Sequence, residues 1–159
     1  MFYDYFHSPI GTITLGTDGT HITSLHIEGD RYFKEIPQDW TRNPSQQLLH
    51  QAKQELDEYF TGTRTNFNMP LLPAGTALQR AVWNILQTIP IGTTTSYKKI
   101  AQAIGKPQAV RAVASAIGRN PICIIIPCHR VLASNGSLGG YVAGLARKQQ
   151  LLDLEQPAN

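Results

Sequence analysis

Between Gly11 and Gly16 the chain reads Gly-Thr-Ile-Thr-Leu-Gly, alternating apolar and polar positions. That two-residue period is the mark of a half-buried strand. Asp18-Gly19 is a hairpin turn signal, and the β-branched run His21–Ile27 predicts a second strand after it. From about Ser45 the period changes. Leu48, Leu49, Ala52, Leu56, Tyr59 and Phe60 recur at helical spacing, with Ser45 placed to cap the helix and Gly62 to close it. The stretch from Pro70 to Gly75 reads as a linker.

Beyond the linker the period stays helical. Ala77, Leu78, Ala81, Val82, Ile85, Leu86 and Ile89 trace one face, with Thr76 as a cap and Pro90 and Gly92 as stops. Tyr97, Ile100, Ala101 and Ile104 trace a second helix, capped by Thr95 or Ser96 and ended by Gly105. Gln108 to Gly118 predicts a third, with Val110, Val113, Ala114 and Ile117 inward. Two short helices joined by Gly105-Lys106-Pro107 are the outline of a helix-turn-helix. The apolar run Ile122–Ile126 predicts a buried strand, and Leu145 to Leu154 a final helix.

Charge changes the picture. Residues 1–73 carry 5 basic and 9 acidic side chains, residues 74–159 carry 9 and 2, and no acidic residue occurs between Glu58 and Asp153. Such a stretch makes a positive field that suits a polyanion, although a solvated basic surface without a partner has the same pattern. Candidate phosphate contacts are Lys98, Lys99, Lys106, Arg119 and Arg130. No apolar run approaches the ~20 residues of a membrane span, and the N-terminus lacks the basic and apolar regions of a secretory signal. The two cysteines, Cys123 and Cys128, make no disulfide framework and point to a reducing compartment, so a cytoplasmic location is expected. No histidine or cysteine spacing resembles a metal site, and no glycine pattern resembles a nucleotide-binding loop, so no metal and no cofactor are expected.

Candidate chemistry centres on Cys128, in Ile126-Pro127-Cys128-His129-Arg130-Val131. Pro127 cannot donate to a ladder, so the chain is expected to surface there with Cys128 at the mouth of the core. Arg130 and His129 supply positive charge that favours a thiolate, the nucleophilic form of cysteine. Adjacent strand residues point to opposite faces, so contact between Cys128 and His129 requires a turn. Judged on these residues alone, an ordinary buried cysteine stays open beside a reactive one, and Cys123, among apolar neighbours, reads as structural.

Pro127-Cys128-His129-Arg130-Val131 resembles the acceptor motif of the O6-alkylguanine-DNA alkyltransferases, the methylated-DNA–protein-cysteine methyltransferases. Four more segments agree in order: Gly92–Tyr97 with the helix-turn-helix tyrosine, Arg111-Ala112-Val113-Ala114 with the start of the recognition helix, Asn120-Pro121 with the hinge asparagine, and Leu151–Glu155 with the buried glutamate. The likeness is strong over about residues 76–155 and general before them. It implies an α+β fold, with an N-terminal scaffold domain at 1–73 and a mainly helical C-terminal domain at 74–159 that carries a winged helix-turn-helix-like motif.

It also implies the chemistry: DNA repair by direct reversal, in which the thiolate of Cys128 takes the alkyl group from O6-alkylguanine, and from O4-alkylthymine, once per molecule. By resemblance His129 is the base, reaching Cys128 through a water, and Glu155 orients it. Tyr97 donates to the guanine, and Asn120 couples the recognition helix to the acceptor segment. The target base must leave the stack to be reached. Arg111 resembles the finger that fills the gap, and Ala112 and Ala114 allow close approach to the minor groove. Thr95, Ser96 and Arg130 join the DNA-binding set, and Tyr141, Val142 and Ala143 line the substrate pocket. Val142 and Ala143 depart from the Tyr-Ser-Gly-Gly of many relatives, which points to resistance to O6-benzylguanine. The partner implied is double-stranded DNA containing O6-alkylguanine, bound by a monomer, with no membrane involved. A cysteine hydrolase, or a module that binds alkylated bases without repairing them, are the other classes weighed. Cys128 itself speaks against the second.

Overall fold

The computed structural model describes residues 1–156. The chain divides into two compact units, one of Met1–Ala74 with Pro121–Cys123 and one of Gly75–Asn120 with the chain from Ile124 onward. The short segment Pro121–Cys123 therefore leaves its sequence neighbours and joins the N-terminal unit, which a division at residue 73 or 74 does not contain.

In the first unit, strands β1 (Phe2–Ser8), β2 (Gly11–Thr17), β3 (Ile22–Ile27) and β4 (Thr41–Arg42) form one sheet in the order β3-β2-β1-β4. β1 and β2 are antiparallel with Phe2 opposite Thr17 and Ser8 opposite Gly11; β4 lies parallel to β1. The alternation read at Gly11–Gly16 places Ile13 and Leu15 in the core, both fully buried. β1 has no counterpart in the sequence reading. Phe2-Tyr3-Asp4-Tyr5-Phe6 carries bulky residues on both faces, and the residue it buries is Asp4. The turn at Asp18-Gly19 is longer than a two-residue hairpin loop. The Asp18 carboxylate accepts from the Thr20 and His21 amides at 2.8 and 2.7 Å, which holds it down at about 2. Helix α1 (Gln47–Phe60) buries Leu48, Leu49, Ala52, Leu56 and Tyr59. Its cap is Gln46, whose side chain accepts from the Leu49 amide at 2.9 Å, and not Ser45, one residue earlier.

In the second unit, helix α2 (Ala77–Leu86) opens with a capping box between Thr76 and Gln79. Its buried stripe is Val82, Trp83 and Leu86, while Ala77 and Ala81 face out. The stripe is rotated toward Trp83 because an indole buries far more apolar area than an alanine methyl, and the Trp83 N–H finds the Ala116 carbonyl at 2.9 Å. Strand β5 (Thr95–Ser96) leads directly into helix α3 (Tyr97–Ala103), capped by Ser96, whose hydroxyl accepts from the Lys99 amide at 3.1 Å. Helix α4 (Val110–Gly118) buries Val113, Ala116 and Ile117. β5 pairs in parallel with β6 (Val131–Leu132), and helix α5 (Leu145–Glu155) follows.

The buried strand expected over Ile122–Ile126 is not formed. Ile122 makes an isolated bridge to Leu25, with Cys123 N–H donating to the Leu25 carbonyl at 3.1 Å. The chain then turns, and Ile124 sits at φ +70, an uncommon conformation for a β-branched residue. A short two-sided apolar run reads alike as a strand and as a buried turn, so its periodicity could not separate them.

Candidate active site

The turn at Ile124 delivers the chain into a single 3-10 turn, Cys128–Arg130. Pro127 precedes it and the Cys128 amide bonds the Ile126 carbonyl at 2.8 Å. The Asn120 side-chain amide donates to that same carbonyl at 2.7 Å, from a buried position just after α4. Asn120 thus closes the turn between the recognition-helix candidate and the acceptor segment. Cys128 is not at an open mouth. It is 4% exposed, and Ile122 to Arg130 are all buried. Neither cysteine is in a disulfide.

The 3-10 turn rotates successive side chains, removing the strand-geometry objection to Cys128 and His129 acting together. His129 is fully buried, and its Nε2 lies 2.6 Å from Oε2 of Glu155, at the end of α5. An ionised carboxylate only accepts, so Nε2 carries the proton and Nδ1 has its lone pair. Nδ1 is itself buried without a hydrogen-bond partner among the described residues. Burial pushes the imidazole below its ordinary value. Glu155 pulls it back up, while the charges of Arg130 and Lys148 push it down.

Two basic residues take places the sequence did not assign. Arg130, expected at the DNA, is 6% exposed. Its Nε and Nη2 donate to Oε1 and Oε2 of Glu155 at 2.8 and 2.9 Å, and its Nη1 donates to the Ile89 carbonyl at 2.6 Å. A guanidinium engaged in this way is unavailable to a phosphate, which removes Arg130 from the DNA-binding set. Lys148, one of the basic residues in the stretch without acidic side chains, is fully buried. Its ammonium donates to the carbonyls of Val131, Leu138 and Gly140 and lies 5.8 Å from the centre of the Tyr97 ring. Desolvation lowers it to about 8, offset in part by the Cys128 thiolate. A signal for it exists in the sequence. Lys148, Leu151, Leu152 and Glu155 follow i, i+3, i+4, i+7, so a cation and an anion share the buried stripe of α5.

Tyr97 stands at the start of α3, half-buried, and its hydroxyl accepts from the Gly140 amide at 3.3 Å. Burial raises the phenol above its ordinary value; the Gly140 bond lowers it and the Cys128 thiolate raises it further. The phenol also packs against Gly139, where a Cβ would come within 2.7 Å of the hydroxyl and the backbone has φ +72. Tyr141, Val142 and Ala143 are buried in the loop that Lys148 holds. The DNA-facing candidates lie elsewhere on the unit. Arg111 and Ala112 are exposed in the first turn of α4, and Ala114 is half-buried. Thr95 and Ser96 line a cleft of about 440 Å3 with Lys98, Lys99, Gln102 and Ser134. No group of three or more His, Cys, Asp or Glu side chains among the described residues is arranged to hold a metal ion.

Comparison with known proteins agrees with this arrangement along the chain. Residues 77–157 match the model for the 6-O-methylguanine DNA methyltransferase DNA binding domain, and residues 1–73 match the ribonuclease-like domain of the same name. The chain belongs to the 6-O-methylguanine DNA methyltransferase family. It is 46% identical to the methylated-DNA–protein-cysteine methyltransferase of Methanosarcina barkeri, over 98% of each chain. It is 45% identical to that of Mycolicibacterium paratuberculosis, over 97% of this chain and 92% of the relative. Its structure is similar to Mycobacterium tuberculosis OGT in complex with DNA, with a TM-score of 0.91 and 42% identity over 99% of this chain and 96% of the other. The family membership extends over the first 73 residues, where the sequence motifs alone gave only a general likeness.

Proposed function

We propose that this chain repairs double-stranded DNA by moving the alkyl group of O6-alkylguanine, or of O4-alkylthymine, onto Sγ of Cys128. The observation that carries the reading is the buried pair of Glu155 with His129, which shares the turn of Cys128 and whose outer nitrogen has no partner among the described residues. His129 takes the Cys128 proton through a bridging water, and Glu155 stabilises the imidazolium. The thiolate attacks the alkyl carbon in line. The S–C bond forms as the C–O6 bond breaks, and the electron pair stays with the guanine. Tyr97 supplies a proton to the leaving base and regains one, through solvent, from the His129 imidazolium, so the products are guanine and an S-alkyl cysteine. Lys148 favours the thiolate by its charge and holds the pocket loop of Tyr141, Val142 and Ala143.

Cys128 is nearly enclosed, so a base within a duplex cannot reach it; the nucleotide has to leave the stack first. Arg111, exposed at the start of α4, is the side chain to occupy the gap, and the small Ala112 and Ala114 let the helix approach the groove. Thr95, Ser96, Lys98 and Lys99 flank it as backbone contacts. In this reading residues 74–159 bind DNA and accept the alkyl group, and residues 1–73 are the scaffold. The protein acts as a monomer in the cytoplasm without a cofactor. Among the described residues no helix is long and apolar enough to cross a membrane.

Water has no activated route to the resulting thioether, so each molecule reacts once. Incubation with excess duplex containing O6-methylguanine should plateau at one transfer per protein. Repeated turnover would overturn the reading, as would binding without transfer. Turnover on acyl or amide substrates would point to a cysteine hydrolase.

A further inference from the structure

Two side chains, His129 and Arg130, converge on the Glu155 carboxylate. Oε2 takes His129 Nε2 at 2.6 Å and Arg130 Nη2 at 2.9 Å; Oε1 takes Arg130 Nε at 2.8 Å. The same guanidinium reaches the Ile89 carbonyl just after α2. Three segments meet at one side chain: the end of α2, the 3-10 turn and the end of α5. Gly92 comes close to the backbone of the same residue, since a Cβ there would stand 3.2 Å from the Glu155 main-chain carbonyl oxygen.

We propose that Arg130 is a positioning residue that keeps Glu155 ionised in a single orientation, and through it fixes His129 as a base at Nδ1. This rests on the reading of Cys128 and His129 as the reacting pair. A buried carboxyl without a matching cation takes up a proton. Protonated Glu155 could donate to His129 Nε2, and the ring proton would then move to Nδ1. The nitrogen that should accept the Cys128 proton would carry one already. The guanidinium prevents this with a fork that fits both carboxylate oxygens, and its carbonyl contact at Ile89 stops the fork from rotating. The charged and titratable groups facing His129 are Glu155 and Lys148 from α5 and Arg130 from its own turn. Cys128, also on that turn, acts on Tyr97 of α3 and on Lys148. Arg130 bonds the carboxylate that holds the ring, whereas the Lys148 ammonium bonds backbone carbonyls.

The sign of the effect follows. Replacing Arg130 by a neutral residue removes a charge that depresses His129 and removes the partner that keeps Glu155 ionised. Both changes leave less neutral, correctly protonated His129 at a given pH. The acid limb of Cys128 reactivity therefore moves to higher pH.

The test measures Cys128 alkylation against pH with two reagents, iodoacetamide and duplex O6-methylguanine, for wild type, Arg130→Gln and Arg130→Lys. Arg130→Gln should move the acid limb up by about one pH unit or more with both reagents. Arg130→Lys keeps the charge but not the fork, so its limb should stay near wild type while its plateau rate falls severalfold. A limb that does not move in Arg130→Gln overturns the proposal. The iodoacetamide arm needs no DNA, so a wild type that leaves methylated duplex untouched would count against the repair reading and leave the role of Arg130 still measurable. Should Arg130→Gln fail to fold, nitrogen NMR of His129 in the wild type decides. A ring protonated at Nε2 from pH 6 to 8 supports the proposal, and one protonated at Nδ1 overturns it.

Discussion

Of the buried carboxylates, Asp4 in one unit and Glu155 in the other are both held by cations, and they differ in what is left over. Asp4, on β1 of the N-terminal unit, accepts from Arg42 Nε at 3.0 Å and from the Lys53 ammonium. Burial alone would raise its carboxyl. The bonds from Lys53, the Tyr5 amide and Arg42 outweigh that and hold it below its ordinary value. Both of its cations keep a path to water, with side chains 56% and 26% exposed for Arg42 and Lys53. Glu155 is buried together with its partners, and beside it one buried nitrogen, His129 Nδ1, has nothing to bond among the described residues. Complete satisfaction is what a structural ion pair needs. A leftover acceptor beside a cysteine is what a proton relay needs. The two clusters therefore separate stability from chemistry inside one chain.

The comparison breaks most readily at Glu155. Glu155→Ala leaves a buried guanidinium unpaired and His129 unoriented. It should cost about 3–5 kcal/mol of stability and slow alkyl transfer by about 100-fold or more, measured by denaturant unfolding and single-turnover kinetics. A stable variant with an unchanged rate would make Glu155 a bystander. Asp4→Asn should lower stability by about 1–3 kcal/mol while the single-turnover rate stays near wild type. The sign with pH is fixed by direction. Because Asp4 is depressed in the folded state, its contribution is present above the ordinary aspartate value near 3.8 and is lost as pH falls through the lower folded value. The stability gap between wild type and Asp4→Asn should therefore close in acid.

Lys148 sharpens the contrast from the other side, as a buried charge that costs stability. It titrates at about 8 in the fold against an ordinary value of 10.5. Between the two values the unfolded chain holds the extra proton, so wild type gains stability on this group as pH rises from about 8 toward 10.5. Lys148→Met has no such gain, so the stability of wild type relative to Lys148→Met should rise over that window in chemical denaturation. A constant difference would mean that Lys148 is not desolvated as described. The smallest effect is expected in the pocket. Ala143 is 4% exposed, and its methyl narrows the loop that Lys148 holds. Ala143→Gly should leave O6-methylguanine repair near wild type and speed inactivation by O6-benzylguanine. Equal benzylguanine rates would remove Ala143 as the gate.

Legibility in the sequence followed the same division. Elements with one clean period, such as β2 and α1, stood out because one face is buried and the other is wet. β1 did not, because Phe2-Tyr3-Asp4-Tyr5-Phe6 packs on both faces and its partners β2 and β4 lie 9 and 39 residues further on. The segment Ile122–Ile126 misled for a related reason, since its turn is set by Asn120 and by the pairing with Leu25, neither visible in a local pattern. At the site, the motif residues Cys128, His129, Glu155, Tyr97 and Asn120 were readable by resemblance, and the structure pairs His129 with Glu155 and sets Tyr97 in the field of Cys128. The basic residues were not readable. Charge counts cannot tell a surface arginine from one paired with a distant glutamate. Arg130 needed its partner 25 residues away, and Lys148 needed three carbonyls presented by the loop that it supports.

The central claim is that Cys128 is the acceptor and reacts once. The most direct measurement is peptide mass mapping after reaction with excess duplex O6-methylguanine. The account expects one methyl group per molecule, located on Cys128 and absent in Cys128→Ser, with Cys123 unmodified and an equal amount of guanine restored in the DNA. Methyl on another residue, or guanine restored in molar excess over the protein, would contradict it.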